Sequence, residues 1–134
     1  MLKLVYAAIF KSNFPEEGFT VTVPDLPGCT TFGHSMADAI LMAQDAACGW
    51  ILDELEDGKS IPEATDIQHI NTKQNEFLTL LVLDMDPYIE KYGKKTVRKN
   101  TTIPAYLNTF GEKNHINYSK VLTDALMEMY LNQA

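Results

Sequence analysis

A short basic segment followed by two helix-forming stretches makes up the last forty residues, and this length constrains how they can fold. Residues 94–103 mix lysine and arginine with β-favouring threonine, valine and isoleucine, and Pro104 follows where a helix can start. Residues 105–134 have room for two short helices. Because about forty residues rarely bury enough apolar surface alone, we expect this segment to fold by pairing with a second copy.

Charge divides the chain at the same place. Residues 1–93 hold five lysines against fifteen acids, a net charge of −10, whereas residues 94–134 hold six lysines and arginines against three acids, a net charge of +3. The two values sum to the −7 of the whole chain. A basic module joined to an acidic one predicts nucleic acid as the partner of the first and a different partner for the second.

The first 86 residues have the pattern of a β-β-β-α-β module. Residues 2–11 and 19–23 carry the β-branched and aromatic residues typical of strands, and residues 29–32 can add a third strand. Residues 77–83 form an apolar run that we expect to be a central strand. The predicted fold class is therefore α+β.

Residues that favour the start and the end of a helix lie between the third and fourth predicted strands. Ser35 can cap the first turn of a helix, with Asp38 three residues later, and Gly58 is a good stop. Apolar residues recur at helical spacing between these two ends. Residues 87–94 are interpreted as a linker, either a short helix or a hinge, before a second domain at residues 95–134.

The second domain is predicted to pair two copies of strand 96–103 antiparallel above four helices. Pro104 suits the first helical position, where its missing N–H costs nothing. Residues 114–117 are the expected turn, and Ser119 is the expected cap of the second helix. Gly111 interrupts the first helix at an expected cost of about 1 kcal/mol relative to alanine.

This arrangement resembles the ribbon–helix–helix DNA-binding family over about residues 95–131. In that family the residue before the proline faces the core, and alternate residues before it enter the major groove. The resemblance implies that Ile103 is a core residue and that Arg98, Asn100 and Thr102 read DNA bases. The chemistry is suitable, because arginine can form paired hydrogen bonds to guanine and asparagine to adenine.

Phosphate contacts are predicted beside these base-reading residues. Lys95 and Lys99 add positive charge, and the helix start near Asn117 and Ser119 can present N–H groups to a phosphate. An alternative is that the basic strand and two helices serve only to dimerise the chain.

A second motif occurs at residues 23–35, where Pro-Asp-Leu-Pro-Gly-Cys is followed by Thr-Phe-Gly-His-Ser. This segment resembles the signature of HicB-type antitoxins, with a dense match over residues 19–40. The resemblance implies a partial ribonuclease H-like fold for residues 1–86. It also implies that this domain blocks a HicA-type toxin that cleaves messenger RNA, and that the second domain represses the operon by binding operator DNA as a homodimer or higher homo-oligomer.

Other functional classes are disfavoured by particular residues. A ribonuclease H active site needs a carboxylate on its first strand, and residues 2–10 contain none. Three scattered histidines lack zinc-ligand spacing, so we predict no catalytic residue, metal or cofactor, and no enzyme activity. Two alternatives stay open: a stand-alone regulator whose first domain senses a small ligand, and a metal-dependent nuclease.

The cellular location of the protein is predicted from its cysteine content and from the length of its apolar runs. Cys29 and Cys48 are too few and too isolated for a disulfide framework, which favours a reducing environment. Apolar runs such as residues 80–83 are too short to cross a bilayer, and residues 1–10 lack the features of a signal peptide. We therefore predict a cytoplasmic protein with no membrane partner.

Overall fold

A computed structural model describes residues 2–93 and 95–132 of the chain. These residues form two compact units that divide between residues 94 and 95. In neither described range does a helix combine the length and apolar character needed to span a membrane.

The N-terminal unit contains the predicted β-β-β-α-β order, which confirms the α+β class. Its elements are β1 (Lys3–Ser12), β2 (Phe19–Thr22), β3 (Thr30–Gly33), α1 (Met36–Glu56), β4 (Glu76–Asp84) and α2 (Met85–Tyr92). The four strands form one antiparallel sheet in the order β3-β2-β1-β4. A single turn of 3-10 helix, Ile67–His69, lies between α1 and β4.

Strand β4 lies at an edge of the sheet, so the prediction that residues 77–83 form a central strand is wrong. Within the described sheet β4 pairs with β1 alone. Its residues alternate in burial: Leu81 and Leu83 are buried, whereas Leu80 and Val82 are half-exposed. An apolar run of this kind usually indicates burial on both faces, but here one face remains open.

The N-terminus of α1 is fixed by local hydrogen bonds, as the sequence predicts. Ser35 Oγ accepts the backbone N–H of Asp38 at 3.1 Å. Asp38 Oδ2 in turn accepts the N–H of His34, one residue before the cap, at 2.9 Å. These reciprocal bonds satisfy donors that an uncapped first turn would leave unpaired. At the other end Gly58 has a φ of +71°, which confirms its role as a stop.

The loop of residues 24–28 anchors the helix to the sheet. Leu26 is fully buried, and Trp50 of α1 donates its indole N–H to the carbonyl oxygen of Pro27 at 3.0 Å. The carboxylate of Asp25 accepts both the backbone N–H and the hydroxyl of Thr65, at 2.8 and 2.6 Å. This motif therefore fixes the positions of α1 and of the segment that follows it.

Residues 87–92, part of the stretch interpreted as a linker, belong to α2. Met85 at its start is fully buried. A Cβ placed on Gly49 of α1 would lie 3.1 Å from Tyr88 Oη, which shows close packing of α2 against α1. The helical option left open by the sequence is therefore the one observed through Tyr92.

The C-terminal unit contains α3 (Ala105–Lys113) and α4 (Tyr118–Leu131). The predicted starts of both helices are wrong by one or two positions. Pro104 is the N-cap of α3 rather than its first helical residue, because its ψ of 143° is extended. Asn117 rather than Ser119 caps α4, since Asn117 Oδ1 accepts the N–H of Lys120 at 3.0 Å. A carboxamide and a hydroxyl are comparable caps, so spacing alone does not distinguish them.

Gly111 has a packing role that the sequence does not reveal. It lies inside α3 and is the one buried residue among residues 95–132. A Cβ at this position would overlap Tyr118 Oη and would lie 2.7 Å from two of the ring carbons of Tyr118. Tyr118 Oη donates to the carbonyl oxygen of Asn108 at 3.2 Å, so the ring is held across the helix. The absent side chain is therefore what lets α3 and α4 approach each other.

Candidate functional site

The predicted base-reading residues lie in the extended segment before α3. Residues 95–103 form neither helix nor strand in the single chain, and all nine are exposed. The sequence predicts a ladder between two copies, and one chain does not supply the second strand. Arg98, Asn100 and Thr102 are thus accessible to solvent, together with Lys95 and Lys99.

The predicted phosphate contacts lie on a different element of the same unit, the first turn of α4. Asn117 Oδ1 is engaged with the Lys120 N–H, so one of the N–H groups expected to face a phosphate is already bonded. Ser119 is exposed in the same turn. Lys120 Nζ lies 3.3 Å from Asp124 Oδ2, an exposed pair that contributes little to stability.

Large apolar side chains of α3 and α4 remain exposed. Tyr106 is 73% exposed and Met129 67%, and Phe110, Val121 and Leu126 are each more than half exposed. Apolar surface of this extent is typical of an interaction site rather than of a finished monomer surface.

Negative charge is concentrated on the helices and loops of the N-terminal unit. Helix α1 carries five acids and no lysine or arginine: Asp38, Asp45, Asp53, Glu54 and Glu56. Asp45 and Asp53 are exposed, and the other three are partly exposed. This helix offers an electrostatic surface suited to a basic partner.

The carboxylates and thiols that might support catalysis in the N-terminal unit lie at the start of α2 or are buried. Asp86 Oδ1 accepts the N–H of Leu2 at 3.0 Å, and Asp84 occupies the N-cap position of α2. Burial raises the pKa of the Cys29 thiol, and burial together with Asp45 and Asp84 raises the pKa of Cys48 to about 11. In the described parts of the chain, no three His, Cys, Asp or Glu residues are grouped to hold a metal.

A groove of about 550 Å³ lies at the end of β1, lined in part by Lys11, Asn13 and Phe32. It is open to solvent, and Phe14 at its rim is almost fully exposed. Small-molecule sites usually enclose most of the ligand. The groove therefore gives little support to a small-ligand sensor.

Residues 6–125 match the family model for the HicB-like antitoxin of bacterial toxin–antitoxin systems. The chain belongs to the HicB-like antitoxin family. The antitoxin resemblance carried by the motif at residues 23–35 is thereby confirmed. Antitoxins are regulatory proteins rather than typical enzymes, so the family assignment also agrees with the acid-free first strand.

One curated relative and several solved structures are similar to this HicB-like chain. An uncharacterized 14.9 kDa protein from the rep–hol intergenic region of Haemophilus phage HP1 is 34% identical over 92 residues, which is 68% of each protein. A chain from a toxin–antitoxin complex of Streptococcus pneumoniae has a TM-score of 0.61 at 21% identity, covering 96% of this chain and 99% of that one. The crystal structure of the antitoxin HicB of Burkholderia pseudomallei has a TM-score of 0.57 at 21% identity, covering 94% of this chain and 98% of that one. These structures establish the shared fold.

Proposed function

We propose that this antitoxin binds and neutralises a HicA-type mRNA-cleaving toxin through its N-terminal unit and represses its own operon through its C-terminal unit. The observation that carries the proposal is the family match across residues 6–125, which includes most of both units. In this proposal the N-terminal unit is a partial ribonuclease H-like domain, the C-terminal unit is a ribbon–helix–helix, and both act in the cytoplasm.

The exposed basic segment of residues 95–103 supports the proposal that the C-terminal unit binds DNA. Positive charge attracts the phosphate backbone, and a two-stranded ribbon fits the major groove of B-DNA. Alternate residues of a strand point to one side, so Arg98, Asn100 and Thr102 would face the bases together. Lys95 and Lys99 add attraction for phosphates, as do Asn117 and Ser119 at the start of α4.

The exposed apolar faces of α3 and α4 support a dimeric form of this unit. With Gly111 alone buried in its described part, the unit has almost no core of its own. A second copy would cover the apolar side chains and supply the missing strand at the same time. This is the arrangement that a ribbon–helix–helix requires.

The negative charge of the N-terminal unit supports the proposal that this unit binds a toxin. A protein that cleaves RNA must approach a polyanion, so a basic toxin surface is expected. The N-terminal unit, with a net charge of −10 over residues 1–93, would attract such a surface and accelerate association. Helix α1, with five acids and no basic residue, is the element with the most concentrated negative charge.

Replacing Asn100 by alanine should weaken specific operator binding by about 1–3 kcal/mol and relax base preference at one position, because a bidentate contact to a base is lost. Gel-shift titration against the upstream DNA of the operon measures this. Asn71→Ala, an exposed asparagine of the N-terminal unit, is the matched control and should leave affinity unchanged.

Lys95→Ala, at a lysine that precedes the predicted strand 96–103, separates base reading from phosphate attraction. It should weaken binding to all sequences alike and lower the slope of log affinity against log salt by about one. Operator affinity that is the same for Asn100→Ala and the parent chain would reject the assignment of this segment to base reading.

The proposal that this chain neutralises a toxin is tested with the product of the adjacent gene, which the proposal requires to be a small basic protein. We expect the two to co-purify, RNA cleavage by the neighbour to be suppressed at equimolar antitoxin, and association to slow at high salt as the charges are screened. A chain that binds operator DNA but neither binds nor inhibits its neighbour would instead be a stand-alone regulator.

A further inference from the structure

Strand β4 directs half of its backbone hydrogen-bonding groups away from the sheet. In an antiparallel pair, residues that exchange N–H···O bonds with the partner strand alternate with residues whose groups point outward. Bonds just beyond the ends of the β1–β4 ladder fix this alternation, because Ser12 donates to Asn75 and Met85 donates to Leu2. Counted inward from these bonds along the register, the odd-numbered residues of β4 bond to β1. The even-numbered residues therefore direct their N–H and C=O groups to the free edge.

The middle of this edge is unpaired in the single chain. No hydrogen bond reaches the outward backbone groups of Leu78 or Leu80 from the parts of the chain that the structure describes. At Val82 the carbonyl oxygen accepts the side-chain amide of Gln44, on α1, at 3.2 Å. This bond agrees with an outward direction for the even-numbered carbonyls, and it places α1 beside the C-terminal half of β4.

The edge lacks the features that usually prevent another strand from adding to a sheet. Proteins protect exposed edges with lysine, proline, bulges or very short strands. Residues 77–83 of β4 are all uncharged and include no proline. The register of β4 with β1 runs without a break over nine residue pairs. A long and regular edge of this kind is suited to accept an extended segment of a partner, which gains backbone hydrogen bonds there.

Apolar side chains border the same edge. Leu78, Leu80 and Val82 alternate along the strand and so lie on one face of the sheet. Leu80 and Val82 are half-exposed, and Leu78 is partly exposed. A strand added beside β4 would place its own alternate side chains next to them, so apolar contact would accompany backbone pairing.

Acidic side chains lie at both ends of the edge strand. Strand β4 begins at Glu76, ends at Asp84 and contains no lysine or arginine. Lys11 and Lys3, which are opposed to these acids, lie on β1, one strand further from the free edge. The strand that a partner would meet first therefore carries two acids and no base.

A further acid from α1 lies near the C-terminal end of β4. Burial raises the pKa of the Cys48 thiol, and the carboxylates of Asp45 and Asp84 raise it further, so both carboxylates lie close to the same group. Both acids are exposed. An incoming strand would meet these two negative charges at one end and Glu76 at the other, and positive side chains would complement them.

We propose that the toxin adds an extended, basic segment to the free edge of β4 and pairs with the outward backbone groups of Leu78 and Leu80. This inference rests on the proposed function, in which the partner of the N-terminal unit is a basic protein that cleaves RNA. It specifies the surface that the toxin meets and the bonds that hold it. Gln44 limits the added strand at Val82, because its amide already occupies that carbonyl oxygen.

Amide hydrogen exchange, resolved residue by residue, tests this on the full chain alone and with the product of the adjacent gene. In the free chain we expect rapid exchange at Leu78 and Leu80, and slow exchange at Thr79 and Leu81, whose amides bond to β1. Toxin binding should slow Leu78 and Leu80 to the range of their neighbours. Phe32, whose amide points outward from β3 at the opposite edge of the sheet, is the internal control and should not change.

Proline substitution tests the backbone bonds separately from the side chains. Leu80→Pro removes an N–H that points outward and leaves the bonds to β1 in place, so the strand can still form. Leu80→Ala is the matched control, because it removes most of the same side chain and keeps the N–H. We expect Leu80→Pro to bind the toxin about tenfold more weakly than Leu80→Ala, because one backbone hydrogen bond is lost and its partner group is left unpaired. Circular dichroism checks that both variants are folded, and if the proline prevents folding, the exchange pattern of the parent chain decides.

The outcomes separate this surface from the proposed function. A toxin that binds and is inhibited, while Leu78 and Leu80 keep exchanging rapidly, overturns the edge site and leaves toxin neutralisation intact. A product of the adjacent gene that neither binds nor is inhibited rejects toxin neutralisation itself, and the edge site with it. Slow exchange at both amides in the free chain would mean that another copy of this chain already covers the edge, and equal toxin affinity of the two folded Leu80 variants would mean that backbone pairing is absent. Either result also overturns the edge site.

Discussion

Replacing Gly33 by alanine is expected to lower the free energy of unfolding of the N-terminal unit by about 3 kcal/mol or more. The added Cβ would overlap the backbone N and Cα of Ala39 and would lie 2.8 Å from its Cβ. These atoms belong to the first turn of α1 and cannot move without shifting the helix. Overpacking typically costs about 1–3 kcal/mol and sometimes more, against a total stability of about 5–15 kcal/mol. Urea unfolding followed by circular dichroism measures the loss.

Gly58→Ala is the matched control for this experiment. Gly58 has a φ of +71°, and no atom lies within 4 Å of the place that a Cβ would occupy, so alanine there should cost about 1 kcal/mol through backbone strain alone. Equal losses for the two variants would show that close packing is not why position 33 is glycine. A larger loss at Gly33 explains the glycine of the Thr-Phe-Gly-His-Ser segment as the point where sheet and helix touch.

Gly111→Ala is expected to destabilise the C-terminal unit, although helix propensity alone predicts a gain of about 1 kcal/mol. The reason is the overlap between the new Cβ and the Tyr118 side chain, whose ring carbons would lie 2.7 Å away. Relieving this overlap requires rotating Tyr118 and losing its hydrogen bond to Asn108. We expect a net loss of about 1–3 kcal/mol in thermal or urea unfolding of the full chain.

A double-mutant cycle with Tyr118→Ala isolates the cause. In that background the obstacle is gone, so Gly111→Ala should become neutral or stabilising. The difference between its effects in the two backgrounds is the coupling between positions 111 and 118. Were Gly111→Ala equally harmful without the tyrosine ring, its effect would have to come from another source.

Features set by local chemistry could be predicted from the sequence. Ser35 and Gly58 bound α1 because capping depends on hydrogen bonds and φ angles within a few residues. The predicted cap of α4 lies two residues too late because Asn117 and Ser119 are equally good candidates on spacing alone. A helix end is predicted accurately when one nearby residue can form the capping interaction, and less accurately when two residues within the same turn can form it.

Features set by distant contacts could not be predicted. The edge position of β4 depends on whether a further strand pairs with its free side, and the apolar sequence of β4 does not specify this. The role of Gly111 depends on Tyr118, seven residues away and on another helix. The base-reading roles of Arg98, Asn100 and Thr102 stay predictions, because they depend on a strand from another molecule.

A helical pair in which residues 95–132 include a single buried residue gains very little free energy by folding as a lone molecule. If its stability comes from a second copy, its folded fraction must rise with chain concentration, as it does for any obligate dimer. Newly made chains at low abundance would then carry a proteolytically vulnerable tail on an already folded N-terminal unit. If the chain represses its own operon as proposed, repression would begin only after enough chains had accumulated to dimerise, so protein abundance would set the threshold.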